Sequence, residues 1–183
     1  MAGIAFTALR LAPPQLGDTV VVLGLGLVGL LAGQLFCLAG TRPVLGLDRL
    51  PARLKLAEAF GIVPVDTSHE ESLPALRRAL GSRGVDIVVE ATGNPALVAP
   101  ALDSARRGGP VMLLGSTRGP ATLDAYSLIH RKAVRVIGGH ETALPFNADH
   151  LWPRLRNLGL ALDLMAAGDL RTDRSVPLPH QFH

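Results

Sequence analysis

Residues 19–41 form a run of 23 residues without a charged side chain, and in its middle stands Gly24-Leu25-Gly26-Leu27-Val28-Gly29. Such a run is long enough for a membrane helix, which needs about 20 apolar residues. Gly29 and Gly33 even form the GxxxG spacing of packed membrane helices. The order of residue types argues otherwise. Val20, Val21 and Val22 precede Gly24, and the helical stretch begins only after the glycines. β-Branched residues, then a glycine turn, then an apolar helix make a buried strand, turn and helix, so no membrane span is expected. The start of the chain lacks a basic segment ahead of its apolar residues and carries Arg10 where they should continue, so a signal peptide is not expected either.

The rest of the chain keeps the same rhythm. Strands are expected at 19–23, 43–47, 62–65, 85–89, 111–114 and 134–137. Helices are expected at about 28–39, at 51–60 with Pro51 in the opening position, and after Ser68-x-x-Glu71, a capping box followed by Leu73, Leu76 and Leu80 at helical spacing. Asn94-Pro95 opens a further helix with Val98, Ala101, Leu102 and Ala105 as its buried stripe, closed by Arg106-Arg107-Gly108-Gly109. Leu151, Leu155, Leu158, Leu162 and Met165 mark one face of a last helix that stops near Gly168. Short apolar strands alternating with helices require a parallel sheet covered on both faces. The expected fold is therefore α/β: a doubly wound, six-stranded parallel sheet of the Rossmann type, in strand order 3-2-1-4-5-6. The expected organisation is a hinge helix over 1–16, a nucleotide-binding domain over 17–168, and a tail leaving the domain over 169–183.

Composition narrows the function. Apolar residues make up 48% of the 183 and charged ones only 18%, against about 25% in an average soluble domain. An ordered core follows, together with an apolar face meant for a partner. Sixteen of the eighteen basic residues are arginine, but they are scattered and not interleaved with aromatics, which argues against nucleic-acid binding. The single cysteine, Cys37, excludes an internal disulfide and a cysteine-based zinc cage, and points to a reducing, cytoplasmic setting. His130, His140 and His150 fall on different elements and match no ligand motif, so no metal site and no catalytic residue is expected in this chain.

The chemistry sits in the glycine motif. Gly24 permits the tight turn, Gly26 lets backbone approach a pyrophosphate, and Gly29 lets the helix pack on the strand. Asp48 ends the second strand nineteen residues past Gly29, where an acid holds the hydroxyls of an adenosine ribose. A carboxylate there accepts the ribose diol of NAD and repels the 2′-phosphate of NADP. Arg49, next to it, supplies an opposing attraction, but a mobile surface cation is the weaker term, so NAD is favoured.

With these residues in place the chain resembles the cofactor domain of the medium-chain, zinc-dependent alcohol and polyol dehydrogenases. The likeness rests on Gly24 to Gly29, Gly46-Leu47-Asp48, Arg53-Leu54 with Ala57 and Gly61, Asp86 to Gly93, Gly108-Gly109-x-Val111-x-x-x-Gly115, and His130-Arg131-Lys132 before Val136-Ile137-Gly138. It implies further cofactor contacts. Leu27 and Val28 would face the pyrophosphate and nicotinamide, Arg53 the adenosine ribose, and Thr92 and Gly93 the adenine side. Leu114, Gly115 and Ser116, with the backbone of Arg135 to Ile137, would approach the carboxamide and nicotinamide. Glu90 is expected to be a structural acid.

The same resemblance implies an N-terminal domain that carries zinc and most of the substrate pocket, and this sequence starts at about the hinge helix that follows it. Zinc is thus expected only in a complete enzyme. Two functions stay open: the NAD-binding half of a zinc-dependent alcohol or polyol dehydrogenase, inactive alone, or a non-catalytic NAD-binding or assembly module. A homodimer paired at the sixth-strand edge is implied in either case.

Overall fold

The computed structural model describes residues 1–69, 71–80, 84–140 and 154–172. Helix α1 (Ala2–Leu11) precedes strand β1 (Val20–Leu23), α2 (Leu27–Leu38), β2 (Val44–Asp48), α3 (Pro51–Ala59) and β3 (Val63–Asp66). Then follow α4 (Ser72–Leu80), β4 (Ile87–Glu90), α5 (Val98–Ser104), β5 (Pro110–Leu113), β6 (Arg135–Gly138) and α6 (Arg154–Ala167). All six strands are parallel, in the order β3-β2-β1-β4-β5-β6. This is the expected doubly wound sheet. β1 is central because its four residues are apolar and buried on both faces. In register, Leu23 stands beside Leu47 on one side and Glu90 on the other.

Alternation along the strands divides the core in two. Val20, Val22, Val44, Ile87, Val89 and Met112 point to the face covered by α1, α2, α3 and α6. Val21, Leu23, Leu45, Leu47, Val88 and Val111 point to the face covered by α4 and α5. The crossovers therefore change face when the chain passes from β3 to β4, and a crevice opens between the C-terminal ends of β1 and β4. The uncharged run is used here, not in a bilayer. Gly29 and Gly33 lie where α2 crosses the sheet, with Gly33 against Ile62 and Val44. Among the described residues, no helix is long and apolar enough to cross a membrane.

Three local expectations change. The capping box does not open α4: Ser68 donates its N–H to Asp66 Oδ1 at 2.8 Å, and the helix begins at Ser72, past Glu71. Leu76 is buried as expected, while the side chain of Leu73 lies outside the described ones. The second change concerns α6. Leu155, Leu158 and Leu162 are exposed, and the helix instead buries Asn157 and Ala161, with Leu160, Leu164 and Met165 partly covered. Leu151 lies outside the described residues. The third concerns the segment after α6. Leu170 is buried in the core, and the Gln34 carboxamide brackets Arg171, accepting its N–H at 2.8 Å and donating to its carbonyl at 3.1 Å. The Arg171 guanidinium lies 5.1 Å over the Phe60 ring and donates to the Ala59 carbonyl. The chain is thus anchored through residue 171; residues 173–183 lie outside the described residues.

The Asn94-Pro95 opening behaves as read, with Asn94 Oδ1 accepting the Ala96 N–H at 3.0 Å ahead of a short 3₁₀ turn and α5. At the other end of α5, Lys132 donates to the carbonyls of Leu102 and Asp103, both at 2.8 Å. An ammonium at a helix C-terminus satisfies carbonyls that have no helical donor. Burial pushes the Lys132 pKa below the ordinary lysine value, with Asp103 pulling the other way.

Candidate functional site

The loop after β1 is built from contacts that only glycine allows. A side chain at Gly24, whose φ is +91°, would meet Thr92 Cγ2 at 2.5 Å. A Cβ on Gly29 would lie 1.9 Å from the Gly24 carbonyl oxygen. Gly26 differs: its φ is −66°, and a Cβ there would meet nothing within 4 Å. Two of the glycines are thus required by packing, and the third faces open space at the N-terminus of α2. The first-turn N–H groups of α2, from Leu27, Val28 and Gly29, have no carbonyl behind them and carry the positive end of the helix dipole. An anion placed over Gly26 meets all of these.

Asp48 ties this loop to β2. It is 8% exposed, and its two carboxylate oxygens have four donors. Oδ2 accepts the Leu25 N–H at 2.8 Å and Arg53 Nη1 at 3.3 Å. Oδ1 accepts the N–H groups of Arg49 at 2.8 Å and Leu50 at 3.0 Å. A carboxylate has about four lone-pair sites, so Asp48 is fully engaged. Three of its donors are backbone and fixed. Arg53 is the side chain that can swing away, and it is partly exposed. Arg49 itself is exposed. The bond to Leu25 was not legible in the sequence, because nothing in a residue's type tells which backbone N–H its side chain will reach.

A second clasp closes the other wall of the crevice. Glu90 ends β4 and is completely buried. Its carboxylate accepts the Thr92 N–H at 2.8 Å, the Thr92 hydroxyl, and the Gly93 N–H at 3.2 Å. Its backbone carbonyl accepts the N–H groups of Leu114 and Gly115, both at 2.8 Å. Glu90 is therefore a structural acid that shapes the Thr92–Gly93 turn and joins it to the loop after β5. Backbone closeness explains the glycines there as well: a Cβ on Gly115 would lie 2.3 Å from the Gly93 N.

Beyond this clasp, the C-terminal ends of β5 and β6 enclose a cleft of about 330 Å³, a size that suits a small ring system. Leu114, Gly115, Ser116 and Thr117 form one wall, Gly138 and Gly139 another, with Ile4 of α1 and His140 at the sides. The structure thus brings together Gly24, Gly26, Leu27, Val28, Gly29, Asp48, Arg49 and Arg53 at the glycine loop. Thr92, Gly93, Leu114, Gly115 and Ser116 continue the same crevice. Ile137 lies within β6 and packs into the core, one residue before the cleft. Arg135 is not brought in: it stands beside Pro110 at the opposite end of β6. Ile4, Leu113, Thr117, Gly138, Gly139 and His140 were missed. The Gly138-Gly139 doublet at the end of β6 was the available signal for two of them. Among the described residues no group of His, Cys, Asp and Glu side chains has the arrangement to hold a metal ion. His150 lies outside the described residues.

Comparison with known proteins gives the same picture. The chain is 30% identical to an uncharacterized zinc-type alcohol dehydrogenase-like protein, YphC, of Escherichia coli, over 91% of this chain and 52% of that protein. It is 33% identical to a sorbitol dehydrogenase of Bacillus subtilis, over 55% of this chain and 29% of the enzyme. A solved zinc-binding dehydrogenase from Sinorhizobium meliloti, bound to NADP, superposes with a TM-score of 0.76 at 27% identity, covering 94% of this chain and 48% of the other. The chain therefore spans about half the length of relatives it matches along most of its own length. Residues 28–153 match the zinc-binding dehydrogenase family over more than half of the sequence, and with the crevice described above this chain belongs to that family.

Proposed function

We propose that this chain is the nicotinamide-dinucleotide-holding half of a zinc-dependent alcohol or polyol dehydrogenase, with NAD preferred over NADP. The observation that carries the reading is the pairing of Gly26, open to the outside, with Asp48 at the end of β2. The pyrophosphate would lie over Gly26 and the first-turn N–H groups of α2. The adenosine ribose would take the Asp48 carboxylate as Arg53 turns outward, and adenine would lie between Arg49 and Thr92. The cleft at Leu114, Gly115, Ser116, Gly138 and Gly139 would receive the nicotinamide, with backbone groups available to its carboxamide.

Held this way, a nicotinamide supplies hydride acceptance. This chain's own part is to fix the ring in the cleft and keep its outer face open to a substrate carbon. Deprotonating the alcohol requires a Lewis acid or base at its oxygen, and zinc held outside the described residues would supply it in a complete enzyme. We therefore read the chain alone as able to bind cofactor and unable to turn over, in a reducing cytoplasm and as a homodimer. The support for the dimer is the β6 edge, where Arg135, Val136 and Gly138 are exposed. The alternative, a non-catalytic binding module, uses the same crevice and differs only in what surrounds it.

Titration of NAD⁺ and NADP⁺ into wild type and Asp48→Ser tests the cofactor reading. The variant should lose at least about tenfold of its preference for NAD, since a charge-assisted pair is exchanged for a neutral hydroxyl. It should also lose about 1–3 kcal/mol of stability, because Leu25 N–H and Arg53 lose their acceptor. An unchanged NAD/NADP ratio removes Asp48 from the ribose site. For turnover, NADH absorbance is followed with primary, secondary and polyhydric alcohols, with and without added zinc. No increase is expected; sustained zinc-dependent turnover would mean that the chain holds a complete site.

A further inference from the structure

Among the described residues two carboxylates are buried: Asp48 beside the glycine loop and Glu90 at the end of β4. A buried carboxylate is costly unless its oxygens are satisfied, and Thr92 and Gly93 supply three donors to Glu90. The Thr92 hydroxyl in turn accepts the Asn94 N–H at 3.0 Å. Up to this turn the chain is held by the sheet, with the Ala91 N–H bonded to the Leu23 carbonyl at 2.8 Å. The turn itself touches both parts of the crevice through backbone. On one side, a Cβ on Gly24 would lie 3.2 Å from the Thr92 N and 3.3 Å from its Cα. On the other, a Cβ on Gly93 would lie 2.9 Å from the Ser116 carbonyl oxygen, and one on Gly115 would lie 2.8 Å from the Gly93 Cα. Packed backbone cannot give way by changing rotamer, so a shift of the turn is passed on to both neighbours.

We infer that Glu90 is a positioning residue for the nicotinamide ring: through the Thr92–Gly93 turn, its carboxylate sets how far the Gly115–Ser116 wall of the cleft stands from the glycine loop. This role rests on the cofactor reading above and goes beyond it, because a completely buried side chain offers the ligand no contact of its own. ADP-ribose lacks the ring that the cleft would hold, so its grip depends little on that spacing. A complete dinucleotide spans from the glycine loop to the cleft, and its ring is seated only where the spacing is kept. A carboxamide at residue 90 cannot keep it. It has one oxygen and one NH₂ group, so it turns a donor toward either the Thr92 or the Gly93 N–H. The turn must then move, and the wall of the cleft moves with it.

Calorimetric titration of NADH and of ADP-ribose into the full chain tests this, with the ratio of the two affinities as the readout. In Glu90→Gln the preference for NADH over ADP-ribose should fall by at least about tenfold, since a buried N–H loses its acceptor and the turn shifts. A role in folding alone would lower both affinities alike, through the folded fraction, and leave the ratio unchanged. Asp48→Ser gives the contrast: it should weaken both ligands together, because both carry the adenosine ribose. Thr92→Val keeps the test decisive if Glu90→Gln fails to fold. It retains a methyl group toward Gly24 and removes the hydroxyl donor to the carboxylate, so the ratio should fall in the same direction by a smaller factor, about threefold. A ratio unchanged from wild type in either folded variant would overturn the role of Glu90 and leave the cofactor reading standing. Wild type that binds neither ligand would overturn the cofactor reading and the role of Glu90 with it.

Discussion

Gly29→Ala is expected to lower the stability of this domain by about 3 kcal/mol or more, at the upper end of what overpacking costs. The added methyl group would stand 1.9 Å from the Gly24 carbonyl oxygen. That oxygen is backbone, in a loop whose Gly24 N–H is bonded to Leu47 O at 2.8 Å and whose Leu25 N–H is bonded to Asp48. No side chain can rotate away to make room, so α2 must lift from β1 or the loop must break its bonds to β2. Gly33→Ala is the informative contrast. There the methyl would meet the end of the Ile62 side chain, Cδ1, at 2.5 Å, and a rotamer change can relieve it. Thermal unfolding should place Gly29→Ala roughly 6–12 °C below wild type, on the scale of about 2–4 °C per kcal/mol for chains of this length. The loss for Gly33→Ala should be smaller, and equal losses would contradict the packing account.

Gly26→Val should have the opposite profile: cofactor affinity falling by about a hundredfold or more while stability changes by only about 1 kcal/mol. The fold does not need glycine here. The backbone has an ordinary negative φ, and space beyond the Cα is open. Valine is a weaker helix N-cap than glycine, which accounts for the small stability term. The ligand does need glycine. Hydrogen bonds from the first turn of α2 require phosphate oxygens within about 3 Å of backbone N–H groups, and an isopropyl group occupies that space. Calorimetric titration combined with thermal unfolding separates the two effects. A variant that binds as wild type does would move the pyrophosphate off this loop.

How much of this was legible in the sequence follows from where the information resides. Val20 to Leu23, Val44 to Leu47 and Ile87 to Val89 are apolar without alternation, as in a doubly covered parallel strand, so the parallel sheet could be read directly and its order followed from the rule for doubly wound folds. Gly24, Gly26, Gly29 and Asp48 are set by spacing along one strand–turn–helix unit, and their neighbourhood is local. The misread face of α6 has a different cause. Leu155, Leu158, Leu160, Leu162, Leu164 and Met165 surround that helix, so periodicity supplies two apolar stripes and no means of choosing the one that packs on α1. Ser68-x-x-Glu71 has the residues of a capping box, but Asp66 takes the Ser68 N–H first. Ile4 reaches the cleft only through tertiary structure, which sets α1 near the C-terminal ends of β5 and β6 and which no motif encodes. Lys132 shows the limit from the other side. A position singled out by family likeness proves to close α5, thirty residues earlier in the chain.

The central claim, that the crevice between β1 and β4 holds a nicotinamide dinucleotide, is tested most directly by titrating NADH into the unmodified chain. Calorimetry and nicotinamide fluorescence should both saturate at one equivalent per chain. ADP-ribose, which keeps the groups assigned to Gly26 and Asp48 and lacks only the ring assigned to the cleft, should compete. Heats that stay at the dilution baseline, or saturation that ADP-ribose does not displace, would contradict the account.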